Sequence, residues 1–368
     1  MHGRADADHP RAENNDVEPL HPALLKDVVP ALRPLHPRQG SASWRGRSLP
    51  WCTIDADLDA AAVSPADSSV TAHQAAEDAR NADLKLYLNG AIVPKAEAVV
   101  SIYDSGFMLG DGIWEGVRLH NGVWAFLDQH LDRLFEASLA LDLDIGMDRA
   151  ALKTALADTA AANGMTSDAH ARLMVTRGVK THPFQHPSLS RSGPTVAIIV
   201  EHSKPAIPRP IRLASVAHHR GLPLTQDAKL NSHSKLNCIL ACIAAEKAGA
   251  DEALMFDPFG FVNTTNSCNF FIVRKGAVWT STGDYCMNGI TRGHVIELCR
   301  ENDIPVFERN YSLVDTYGAD EAFMTGSFGG LTPVGAIDQR PMPAAPGPMT
   351  ERLSGLYRHL IRRHCGAD

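Results

Sequence analysis

The sequence predicts an α+β chain whose folded part consists of two lobes with a cleft between them. Three observations point there. Short strand-like runs outnumber helical ones along the chain. No glycine-rich strand–turn–helix fingerprint occurs, so a doubly wound nucleotide-binding sheet has little support. Three prolines, Pro205, Pro208 and Pro210, separate an earlier group of strands from a later one and mark a linker.

The elements follow in order. Leu84 to Leu88 alternates and runs into Asn89-Gly90, a strand entering a hairpin turn, with Ala91 to Pro94 as the return strand. Phe126 to Leu141 carries Leu131, Leu134, Phe135 and Leu139 at helical spacing. Ala150 to Asn163 is a second helix, ended by Gly164. Ala171 to Gly178 reads as a strand with polar residues on one face. Thr195 to Glu201 is a strand whose continuous apolar run suggests burial on both faces. Beyond the linker, Ile211 to Ala217 is a strand, and Asn237 to Gly249 is a helix closed by glycine. Short strands are expected at Ala253–Asp257, Gly260–Asn263, Phe270–Arg274, Val278–Ser281 and Glu321–Thr325, with a helix at Gly293–Asn302.

Composition separates one end of the chain from the rest. All 12 Phe and all 6 Tyr lie after residue 84, whereas 8 of the 23 prolines lie before it. Residues 1–83, rich in Ala, Asp, His and Pro, cannot bury enough apolar surface to offset their ordering entropy. They are expected to form an unstructured extension, with neither a secretory nor a mitochondrial signal pattern. No apolar run approaches the ~18–20 residues needed to span a bilayer. The net charge of −7 gives no basic footprint for nucleic acid. The seven cysteines are scattered. Cys238 and Cys242 lie one helical turn apart, but no second ligand pair accompanies them. A metal site is therefore not expected, and buried reduced thiols in a cytoplasmic protein are.

The chemistry is written in a dispersed set of motifs. The first lobe holds Asp104-Ser105-Gly106-Phe107, Glu115 and His130-Leu131-Asp132-Arg133-Leu134. The second holds Lys235-Leu236-Asn237, Gly249 to Leu254, Asn269 to Val273, Gly289-Ile290-Thr291-Arg292, and Thr325-Gly326-Ser327 with Thr332-Pro333-Val334. Gly289-Ile290-Thr291 opens a helix whose free N–H groups suit an anion. In order and spacing this set resembles the class IV aminotransferases. That group contains branched-chain and D-amino-acid aminotransferases, (R)-amine transaminases and aminodeoxychorismate lyase. The resemblance covers roughly residues 84 to 345.

The resemblance implies a two-lobed fold-type IV enzyme of the D-amino-acid aminotransferase-like kind, using pyridoxal 5′-phosphate. Residues 84–205 would form the smaller lobe and 206–368 the larger, cofactor-binding one. It implies amino transfer between an amino acid, branched-chain-like or D-configured, and a 2-oxo acid, through a lysine Schiff base. It also implies a homodimer. Arg133, Ile290, Thr291 and Ser327 match phosphate contacts, and Asn269 lies in a further cofactor-site motif. An elimination of the aminodeoxychorismate lyase type, or a non-catalytic relative, would preserve much of the same pattern.

Two positions depart from that family. Gapless matching of the helix from Leu240 to Gly249 places the family's lysine at Asn231. Lys235, one turn further on and preceding Asn237, is the first choice for the Schiff base, and Lys229 the alternative. Thr264 stands where the family has the glutamate that pairs with the pyridine nitrogen, and a hydroxyl cannot hold a pyridinium by charge. Substrate recognition is less legible. Arg118, Arg172, Arg177, His218, His219 and Arg220 are candidate carboxylate contacts, and Phe107, Trp114, Trp124 and Phe328 candidate pocket aromatics.

Overall fold

A computed structural model describes residues 70–366 apart from Pro208. Of the extension expected over residues 1–83, residues 1–69 lie outside the described residues. The remainder contributes to the fold: Val70 and Ala72 are buried in the core of the second sheet.

The first sheet begins with the hairpin of β1 (Lys85–Leu88) and β2 (Ala91–Pro94), turned by Asn89 and Gly90, both at positive φ. A short helix α1 (Ser105–Leu109) leads into β3 (Gly112–His120), which is followed by β4 (Val123–Trp124). Two helices, α2 (Leu127–Ala140) and α3 (Arg149–Ala162), precede β5 (Ala169–Thr176) and β6 (Thr195–His202). The six strands lie in the order β2-β1-β6-β5-β3-β4. The Asp148 carboxylate accepts from Ala151 N at 2.8 Å to cap α3, a bond worth about 1 kcal/mol. Leu131 and Leu134 of α2 and Leu152 and Leu156 of α3 are buried in one apolar cluster with Ala171, Leu173 and Val175 of β5. In β6, Val196, Ile198 and Val200 are buried while Ala197 and Ile199 are only half-buried, so its apolar run covers one face fully rather than both.

The second sheet opens with β7 (Ile211–His219), beyond the proline-rich linker. After the short α4 (Pro223–Gln226), helix α5 (Leu236–Lys247) carries the chain to β8 (Glu252–Phe256), parallel to β7. Then come β9 (Val262–Thr265), β10 (Asn269–Arg274), β11 (Ala277–Thr280), α6 (Ile290–Glu301) and β12 (Val306–Glu308). The chain ends with α7 (Leu313–Tyr317), β13 (Glu321–Gly326), β14 (Gly330–Ile337), β15 (Arg340–Pro341) and α8 (Pro348–His364). Strand β9 pairs with β8 on one side and, through Thr264 and Asn269, with β10 on the other. That pairing closes β10-β13-β14-β7-β8-β9 into a ring of six strands. Helices α6 and α8 pack together over β13 and β14, burying Val295, Leu298, Leu353 and Tyr357 against Phe271 and Phe323. Among the described residues no helix is long and apolar enough to cross a membrane.

Periodicity does not anticipate strand β3 or helix α8. Glu115 and Arg118 of β3 are charged yet 1% and 4% exposed, because ion pairs satisfy them inside the fold.

Candidate active site

A cavity of about 360 Å³ receives residues from both sheets. On the first side, Trp114 and Gly116 of β3, His170 and Arg172 of β5 and Arg133 of α2 line it. Strand alternation explains the pairing: Ala171 and Leu173 face the core, so His170, Arg172 and Met174 face the other way.

Arg133 is fixed from below. Its Nε and Nη2 donate to the two Glu115 oxygens at 2.8 and 2.7 Å, a bidentate charge-assisted pair. His130 Nδ1 lies 2.7 Å from Glu115 Oε2. Burial alone would raise the Glu115 pKa, but the Arg133 guanidinium and the His130 bond outweigh it and hold the carboxyl below its usual range. The remaining Nη1 donates to Asn288 O at 3.2 Å, at the mouth of α6.

Next to Arg133 the lining offers a cradle for an anion. Helix α6 begins after Gly289, and no side chain caps its first turn. Asn269 Nδ2 donates to Met287 O at 2.9 Å and fixes the loop leading into it. A Cβ on Gly289 would stand 2.3 Å from Asn269 Oδ1, so glycine is required there. Thr291 Oγ1 meets Tyr357 OH at 3.2 Å. On the same cavity, Thr325, Gly326 and Ser327 lead out of β13, and the buried Thr325 Oγ1 has no partner among the described residues. An orphaned buried hydroxyl, an uncapped 12-residue helix and a guanidinium on one cavity are the donor set a phosphate requires. Pyridoxal phosphate thus fits at its phosphate end. The pyridine end fits less well, because Thr264 is neutral and its hydroxyl donates to Cys268 O at 2.7 Å.

The two lysines stand in different places. Lys235 lines the cavity at the start of α5, with Nζ 5.6 Å from the centre of the Trp114 ring. Burial, reinforced by Arg220, Arg172 and Arg133, lowers its pKa to about 8. Lys229 lines a second, neighbouring cavity with Asp132, Glu136 and Arg292. Asn231 is buried on the main cavity, and its carbonyl accepts from Trp114 N at 2.9 Å. That bond, with His233 N donating to Gly112 O at 2.9 Å, stitches the segment before Lys235 onto β3.

Of the residues singled out in the sequence, Arg133, Lys235, Thr264, Asn269, Ile290, Thr291 and Ser327 all line this one cavity. So do Trp114, Arg172, Arg220 and Phe328. The other candidates do not. Arg118 donates to Ser203 O and lies 5.2 Å from the Phe328 centroid, beneath the cavity lining. Arg177 is bound to Asp111 and to the carbonyls of Leu141 and Asp142. His218 is off the lining, and His219 meets Arg220 O. Trp124 is core, and Phe107 points to solvent. The cysteines also divide: Cys268, Cys286, Cys299 and Cys365 are buried, but Cys242 is exposed, and Cys238, Cys242 and Cys268 line the cavity.

Sequence reasoning missed His170 and His73. Burial lowers the His170 pKa to about 3, with Arg118, His73 and Arg172 adding to the effect. His73 is also held below the usual histidine range, chiefly by desolvation. The alternation of β5 could have found His170; no local signal marks His73.

The chain's relatives share this architecture. Residues 112–337 match the model of the amino-transferase class IV family. The chain is 38% identical over 283 residues to branched-chain-amino-acid aminotransferase-like protein 2 of Arabidopsis thaliana, covering 76% of this chain and 51% of that protein. It therefore spans about half the length of that relative. A putative branched-chain-amino-acid aminotransferase of Methanocaldococcus jannaschii is 37% identical, covering 70% of this chain and 89% of the relative. The branched-chain amino acid aminotransferase of Thermobaculum terrenum, solved in its PLP form, has a TM-score of 0.68 and 26% identity, covering 78% of this chain and 95% of that one. With residues of two sheets, an uncapped helix start and a half-buried lysine on one cavity, and with residues 112–337 matching its model, the chain belongs to the class IV aminotransferase family.

Proposed function

We propose that the protein is a pyridoxal-phosphate-dependent aminotransferase that moves an amino group between an amino acid and a 2-oxo acid. The observation that carries this is Lys235, an amine with a pKa of about 8, facing a cradle built for a phosphate. Arg133, the α6 start at Ile290 and Thr291, and Ser327 would hold the phosphate, with Asn269 fixing the loop before α6 and Thr264 beside the ring. When bound, the cofactor supplies an electrophilic carbonyl carbon and an electron sink for the substrate's Cα electrons. Lys235 would be the amine that holds the cofactor, and its Nζ, once free, would move the proton at the substrate Cα. Among the described residues no Asp or Glu lines the cavity. Arg172 lies 3.9 Å from the Trp114 ring centre and has no carboxylate partner among the described residues, which supports it as the clamp for the substrate carboxylate.

The amino donor in this reading is branched-chain-like or D-configured, and the names of the relatives above support the first. Helix α5 supports assembly as a homodimer, since it exposes Leu236, Leu240 and Ile243 away from the cavity lining. An Ile243→Asp variant that still sedimented as a dimer would argue against that face. A cytoplasmic setting accords with the six described cysteines all being free thiols. The central test is borohydride reduction of the cofactor-loaded protein, followed by peptide mapping. A pyridoxyl adduct on Lys235 is expected. An adduct on Lys229 would reassign the amine, and none on either would overturn the proposal.

A further inference from the structure

Residues 70–76 precede the family-matched region and lie against the cavity. Both ends of this segment are fastened. Ala72 N donates to Glu252 Oε1 at 2.7 Å, Thr71 Oγ1 to the same oxygen at 3.2 Å, and Val70 N to Asp251 Oδ1 at 3.2 Å. Further on, Ala76 N donates to Lys204 O at 3.0 Å, and Ala206 N to Gln74 O at 2.9 Å. Between these anchors, Gln74 N donates to Thr71 O at 3.0 Å, closing a tight turn with His73 inside it. Glu252 also accepts from Ser267 Oγ at 2.6 Å, which ties the segment to another cavity residue.

The turn holds the His73 imidazole on the cavity wall, 5.8 Å from the Phe328 ring centre. His170 meets the same ring edge-on at 5.5 Å. Two imidazoles therefore flank one aromatic ring, in a cavity that also contains Arg172 and Arg220 and, among the described residues, no acidic side chain. If one guanidinium holds the carboxylate common to all amino and oxo acids, the lining retains donors for a second anionic group.

We infer that His73 is a specificity-determining residue that, together with His170, binds a carboxylate at the far end of the substrate side chain. This rests on the aminotransferase reading for its substrate, but it can be tested without turnover. Glutarate and pentanoate have the same carbon count and differ in the second carboxylate. Their dissociation constants are measured by calorimetry on the full chain, wild type, His73→Ala and His73→Gln. His73→Ala should weaken glutarate about tenfold, the scale of one hydrogen bond to a charged group, and change pentanoate less than about twofold. His73→Gln, which keeps an N–H donor, should recover part of the glutarate loss. The His73 side chain makes no hydrogen bond or ion pair among the described residues and touches the Phe328 ring only at 5.8 Å between centres, so thermal melting should change little in both variants. Equal effects on the two ligands, or no effect on glutarate, would overturn the inference. Binding is measured on the same protein whether or not borohydride labels Lys235, so the two readings fail separately.

Discussion

Glu115 is the side chain that holds Arg133, the guanidinium proposed to bind the phosphate, and Glu115→Gln isolates its charge. The carboxylate is 1% exposed and accepts two bonds from Arg133, with His130 Nδ1 2.7 Å away. Glutamine keeps the shape and one acceptor oxygen but removes the charge and turns an amide N–H₂ toward the remaining donors. Breaking a buried pair from one side costs about 3–5 kcal/mol. The retained acceptor puts this case at the lower end, about 3 kcal/mol. For a chain of this size, at about 2.1 cal/mol/K of unfolding entropy per residue, that is a loss of roughly 4–5 °C in Tm. The pH dependence has a definite sign. The folded-state pKa of Glu115 is depressed, so its contribution is present above the ordinary carboxylate pKa and lost as pH falls through the folded value. The stability gap between wild type and variant should therefore hold from neutral pH down to about 4.3 and close below it. Cofactor affinity, read by absorbance titration, should fall at least about tenfold, because Arg133 loses the bidentate hold that orients it. A Tm loss under about 1.5 °C with unchanged cofactor affinity would refute the reasoning, since that corresponds to about 1 kcal/mol or less.

Lys235 titrates at about 8, so its amine frees its proton above that pH. Labelling of apo-protein by pyridoxal phosphate and borohydride should rise at this site with a midpoint near that value, against about 10.4 for ordinary lysines. Lys235→Ala should abolish the label while Lys229→Ala leaves it. Thr264→Glu should raise protonation of the bound cofactor's ring nitrogen, visible as a shifted absorbance-versus-pH profile; an unchanged profile would sink the assignment of this position. The same variant loses the hydroxyl bond to Cys268 O, at a cost of about 1 kcal/mol in melting experiments. Gly289→Ala puts a Cβ where only 2.3 Å separates it from Asn269 Oδ1. Cofactor affinity should drop about tenfold or more as α6 shifts, and wild-type affinity would show that the first turn of α6 is not the anion site.

Much of the fold was legible because local chemistry wrote it. The β1–β2 hairpin follows from Asn89-Gly90, and the buried faces of α2 and α3 follow from 3.6-residue spacing. Strand β3 was not legible. Its Glu115 and Arg118 break the apolar pattern of a buried strand, and the groups that satisfy them, Arg133, His130, Asp168 and Ser203, come from distant parts of the chain. Helix α8 hid behind its polarity: Leu353 and Tyr357 are buried among mostly charged or exposed neighbours. The start of the fold was misjudged for a related reason. Val70 and Ala72 sit in a segment of sparse hydrophobicity, and the apolar surface that buries them belongs to the second sheet.

The sequence by itself determined the parts of the site: a glycine-led helix start, a hydroxyl turn, an arginine on an amphipathic helix, two candidate lysines, and a threonine where a carboxylate was expected. These are chemical identities at fixed spacing, which a linear chain displays. Only the tertiary structure set the two lysines apart, oriented Arg133 through Glu115, and brought His73 to the cavity wall. Each of those depends on desolvation or on contact between residues far apart in the chain. Lys235 and Lys229 are equally good amines in the same stretch of sequence. What separates them is that the stitching of residues 231–233 to β3 leaves Lys235 facing the cavity, where burial favours its uncharged form.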